Sequence, residues 1–189
     1  MKRSTVLVVL LLAVTGSIAG STSAADAAPV TTARLQALNN DILIGLNATR
    51  SSHGLRPLVL SANLQRSAAT HSRSMLDGGF FEHQSRDGSS FATRLKRFYR
   101  SAGYDTWSVG ENLLYSTSEI DATSAIEAWL NSPAHRENML NPTWREVGIG
   151  SLSASTAGGI FGGEATWLIT VDFGTRSASR SRKLAAPKP

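Results

Sequence analysis

The chain has 189 residues, no cysteine, 41% hydrophobic residues and a formal net charge of +5. Without cysteine there is no disulfide framework, no thiolate metal site and no cysteine nucleophile, so an extracellular form rests on packing alone. The positive charge sits at the ends: between Val30 and Thr175 there are 12 basic and 13 acidic residues, which removes the charge argument for specific nucleic-acid binding by the folded part.

The first segment, MKRSTVLVVLLLAVTGSIAGSTSAADA, has a basic start at Lys2 and Arg3, an apolar run from Val6 to Val14 and then small residues. That order predicts a secretory signal peptide over residues 1–27, with cleavage after Ala25 or after Ala27. No later stretch approaches the roughly 20 apolar residues of a spanning helix, so no transmembrane segment is expected in the mature protein. The expected location is extracellular or in the cell envelope. About 160 residues remain, enough for one domain with a core of its own.

Leu35, Leu38, Ile42 and Leu46 recur at helical spacing until Gly54 and Pro57 end the pattern, which predicts a helix from Ala33 to about Ser52. A second helix begins at Ser61, carries Leu64, Ala68, His71 and Met75 on one face and stops at Gly78-Gly79. The loop FFEHQSRDGSS leads to a third, basic helix over Phe91 to Ser101. GENLLY then suggests a short strand. A fourth helix is expected over Asp121 to Leu130, and a fifth, short one in NSPAHRENMLNP, with Ser132 at its N-cap, Pro133 in its first position and His135 in its third. The period then changes to two: REVGIGSLS and EATWLITVDFG alternate as strands joined through the loose link STAGGIFGG. Helices first and strands late predict an α+β domain over 33–175, an antiparallel sheet covered by helices. Residues 176–189, RSASRSRKLAAPKP, are expected to form a basic disordered tail able to contact anionic surfaces.

HExxH, GxSxG and the Walker loop are absent, and the HxE of His135-Arg136-Glu137 lacks the PCxxC partner that a zinc deaminase needs. Of the four histidines, His71 on the helix stripe suits a hydrogen-bonded packing role and His53 a cap on the first helix. His83 and His135 lie at loop and helix-end positions, where polar decoration and function are both open readings. The first turn of a helix disfavours a protonated imidazole, and a neutral one is what a metal or a base requires.

The series LNATRSSHGLRPL, AATHSRSM, GFFEHQSRDGSSF, GENLLY, AIEAWLNSPAHRENMLNP and EVGIGSLS, closed by TVDFG, resembles the CAP superfamily of cysteine-rich secretory proteins, antigen 5 and pathogenesis-related 1, also called the SCP domain, and is most similar to its small exported bacterial members. The resemblance spans about Ala33 to Gly174. It implies an α-β-α sandwich with a central antiparallel sheet and an open cleft. It also implies cleft residues at His83, Glu111 and His135, which are then the candidates for catalysis and for binding Zn²⁺ or another divalent cation. Fuller relatives carry a second glutamate three residues after the helix tryptophan; here that position is Ser132, and Glu127 lies about 140° around the helix from it. Two functions follow from the resemblance. One is binding of an extracellular ligand, wall polymer or protein partner. The other is metal-dependent hydrolysis, peptidase or esterase-like, by the cleft residues.

Overall fold

The computed structural model describes residues 30–178; the expected signal peptide and most of the expected tail lie outside the described residues. In chain order the elements are α1 (Thr32–Ser52), β1 (Val59–Leu60), α2 (Ala62–Gly78), α3 (Phe91–Phe98), β2 (Thr106–Ser116), α4 (Ala122–Asn131), α5 (Pro133–Met139), β3 (Glu146–Ala154) and β4 (Thr166–Ser177). The four strands form one sheet in the order β1-β3-β4-β2. β3–β4 and β4–β2 are antiparallel, as expected, but β1 pairs parallel with β3 through Val59 and Leu60. Two exposed residues carry no alternation, so this edge strand left no periodic signal.

Each helix has a local reason for its ends. Thr31, Ser90 and Asp121 accept hydrogen bonds from the backbone N–H groups of Arg34, Thr93 and Ser124, and so cap α1, α3 and α4. Gly79 ends α2 at φ +65°, a conformation open to glycine. α3 stops at Phe98 rather than near Ser101, because Tyr99 leaves helical geometry and buries its ring, with its hydroxyl donating to Glu146. β4 also runs two residues past the expected domain limit at 175. Arg176 belongs to the sheet, with its guanidinium 4.0 Å over the Tyr99 ring and 4.6 Å over that of Tyr104.

The sheet is covered on both faces. On one side Ile149, Ile169, Val171 and Phe173 pack with α1, α4 and the Trp129 and Trp144 rings. On the other, Leu168 packs with Met75 and Phe81, and Val109 with Leu64, Leu95 and Tyr99. The α2 layer lies close enough that a Cβ at Gly148 would meet the Leu64 carbonyl carbon at 2.0 Å, and one at Gly150 the Ala69 nitrogen at 2.3 Å. These glycines set the spacing between sheet and helix.

Candidate functional site

β2 is an edge strand, and its consecutive residues Glu111 and Asn112 point to opposite faces of the sheet. Glu111 faces the α2–α3 layer. Asn112 faces α5, donating to the His135 carbonyl at 3.1 Å and accepting from Asn138 at 2.9 Å. The site is thus assembled around the rim of the sheet, one half from each face.

On the Glu111 side the carboxylate is almost fully buried. His83 Nδ1 donates to its Oε1 at 2.8 Å, and Arg94 donates to its Oε2. Burial alone would push this carboxyl up, but the His83 hydrogen bond and the Arg94 charge outweigh it and hold the group below its ordinary range. Arg94 also donates to the His83 carbonyl at 3.0 Å, so one guanidinium fixes both the loop that carries His83 and the carboxylate that orients its ring. His71 completes the clamp. Its Nε2 donates to the Glu82 carbonyl at 2.9 Å and lies 4.0 Å from Glu111 Oε1. The expected packing role of His71 holds, but at the centre of the cluster rather than away from it. Burial first, partly offset by the Glu111 charge, lowers its pKa to about 4, so the ring is neutral at pH 7.

Asp172 stands directly across from Glu111 in the β2–β4 register and has no exposure. Neither of its oxygens forms a well-aligned hydrogen bond, although the Ser67 hydroxyl and Glu111 lie against it. Burial and then the Glu111 charge raise its pKa well above its ordinary value.

On the other face, Ser132 does not cap α5 through its side chain; its hydroxyl meets His135 Nδ1 at 2.8 Å instead. His135 is 5% exposed, and burial, with a smaller contribution from neighbouring His83, lowers its pKa to about 4. Both imidazoles are anchored through Nδ1, and neither Nε2 has a partner among the described residues.

Of the three expected residues, His83 and Glu111 are in direct contact, whereas His135 joins them only through its proximity to His83. His71, Arg94 and Asp172 belong to the cluster and were missed. Arg94 did carry a signal, since it sits on the apolar stripe of α3 beside Phe91 and Leu95. Asp172 is a charged residue between Val171 and Phe173 in a strand that is buried along most of its length.

The fit of a divalent cation can be tested on the donor set. Both oxygens of Glu111 are occupied, one of them by a guanidinium that repels a cation, and Glu111 orients His83 from behind rather than facing an ion. Among the described residues no three His, Asp or Glu side chains are grouped to hold a metal. Two imidazole nitrogens fall short of the three protein ligands of a catalytic zinc site.

A mixed α+β fold with helices on both faces of one four-stranded sheet is the fold of CAP, or SCP-domain, proteins. Residues 43–171 match the cysteine-rich secretory protein family, and the chain belongs to it. YkwD of Bacillus subtilis is 33% identical over 110 residues, 58% of this chain and 40% of that protein. The membrane protein YlbC of the same bacterium is 33% identical over 104 residues, 55% of this chain and 28% of that one. The match thus spans less than half the length of these relatives. Among solved structures, an extracellular SCP-domain protein of Bacillus anthracis superposes with a TM-score of 0.58 at 26% identity, covering 78% of this chain and 44% of that one. An outer surface protein of Borrelia burgdorferi gives 0.59 at 19% identity, covering 79% and 98%, a likeness of fold. No helix among the described residues is long and apolar enough to cross a membrane.

Proposed function

We propose that the protein is exported through its N-terminal segment and binds an extracellular or cell-envelope ligand or partner at the rim cleft of His83, Glu111 and His135. The observation that carries this reading is the paired anchoring of the two imidazoles. His83 is oriented by a buried carboxylate and His135 by the Ser132 hydroxyl, and each presents an unpartnered Nε2. His83 Nδ1 donates to Glu111, which leaves its Nε2 for a ligand. His135 Nε2 donates or accepts as the Ser132 hydroxyl turns. This is a recognition surface with a fixed direction and little capacity for acid–base work, since Glu111 is already paired with Arg94.

The test is sedimentation of the full chain with isolated cell envelopes, comparing His83→Ala and His135→Ala with the parent. Both variants should lose at least about tenfold in affinity while keeping the parent's circular dichroism. Parent-like binding by both would overturn the proposal. The hydrolase reading needs a third metal ligand. Calorimetric titration with Zn²⁺ should therefore show no micromolar site, and micromolar binding that disappears in both variants would restore that reading.

A further inference from the structure

We infer that the pocket between α2 and α3 is an anion-binding site for phosphate-bearing ligands, specifically phosphodiester-linked polyols of the kind that can form extended polymers. It is a cavity of about 300 Å³ lined by Thr70 and Ser74 of α2, Arg86 and the Asp87 carboxylate of the connecting loop, and Arg94 and Arg97 of α3, three guanidiniums against one carboxylate. It adjoins the rim site through Arg94 but does not depend on how that site is read.

The segment that builds this pocket is basic. Between residues 62 and 100 there are seven Lys or Arg and three Asp or Glu, whereas the span from Val30 to Thr175 is close to neutral. Most of that charge is uncommitted. Arg86 has no ion pair or hydrogen bond among the described residues. Arg97 has only a 3.4 Å contact with Asp87, both side chains being more than half exposed, and such pairs hold weakly in water. Arg94 is committed to Glu111, yet its Nε is buried without a partner, and so is Nδ1 of His71, which also lines the pocket. With Nε2 of His71 donating to Glu82, Nδ1 is left as an acceptor. The lining therefore combines guanidinium donors with a buried acceptor, a set matched by an anion that carries a neighbouring hydroxyl.

The donors come from three elements at different angles, which suits the tetrahedral oxygens of a phosphate better than the planar fork of one carboxylate. The cavity has room for the linking carbons as well as the phosphate, and Phe98 supplies an apolar wall for them.

The experiment follows the arginine Nε–H and backbone amide resonances of the ¹⁵N-labelled full chain in 150 mM NaCl as three probes are added. The probes are a synthetic glycerol-phosphate hexamer, inorganic phosphate, and a glutamate hexamer. The hexaphosphate should move Arg86, Arg97, Thr70 and Ser74. The double variant Arg86→Ala/Arg97→Ala, which alters two exposed side chains, should weaken it at least about tenfold, and His135→Ala should leave it unchanged. Inorganic phosphate moving the same resonances more weakly would support the site and mark the polymer as the better ligand. Changes confined to Arg180, Arg182 and Lys183 would overturn the inference. So would equal binding by the double variant, or equal binding of the glutamate hexamer.

Discussion

The buried acid Asp172 predicts an unusual dependence of stability on pH. His71 and His135 are held at about 4 in the native state against 6.5 when unfolded. Between those values the unfolded chain carries up to two protons that the native state lacks. A depressed histidine contributes stability that is present above about pH 6.5 and lost as pH falls toward 4, about 3 kcal/mol for each ring. Asp172 acts in the opposite sense. Its native pKa is raised well above 3.8, so its contribution is greatest at low pH and is lost as pH rises toward that raised value. The neighbours that set this balance are Glu111 on β2, Arg94 on α3, and Ser67 and His71 on α2. The two histidines alone would make stability rise by at most about 2.7 kcal/mol per pH unit between 4 and 6.5, and Asp172 opposes that rise. Glu111, held below its usual 4.5, adds to the loss on the acid side. Asp172→Asn keeps the shape and removes the opposing contribution. The rise on the acid side should steepen toward about 2.7 kcal/mol per unit. Guanidinium unfolding of the full chain, followed by tryptophan fluorescence at half-unit steps from pH 4 to 9, measures both curves. Parallel curves for parent and variant would refute a raised pKa for the buried Asp172.

Glu111→Gln strands the Arg94 guanidinium in a buried site and should cost about 3 kcal/mol in urea unfolding; a loss under about 1 kcal/mol would mean that the pair is not desolvated. Gly150→Ala drives a methyl group into the α2 backbone and should cost about 3 kcal/mol or prevent folding, as judged by thermal melting. Ser132→Ala removes the hydroxyl that His135 Nδ1 meets and should cost about 1 kcal/mol while leaving the His83 ring resonances unmoved.

The helices were legible because their apolar residues recur at 3.6 and because Gly54, Pro57 and Gly78-Gly79 stop the first two, signals that act within one turn. β2 was expected only from Gly110 onward but begins at Thr106. Its first residues pair with Thr175, Arg176 and Ser177, partners about 70 positions away that no local window contains. The same limit applies to the site. His83, Glu111 and His135 were found through the order of motifs, while their partners Arg94, His71 and Asp172 are defined by what surrounds them. An arginine on an apolar stripe and an aspartate inside an apolar strand are conflicts in the local pattern, and here both conflicts lie in the functional cluster.

Arg50, fully buried near the end of α1, donates to the Met139 carbonyl at 2.7 Å and the Asn141 carbonyl at 3.1 Å, in the last turn of α5 and two residues past its end. A helix of seven residues has no stability of its own. The segment bearing His135 is therefore held from outside itself, at its C-terminal end by a side chain of α1 and along its length by Asn112 of β2, so that local detachment of α1 would strip the carbonyl partners from the end of α5 and loosen the helix on which His135 rides.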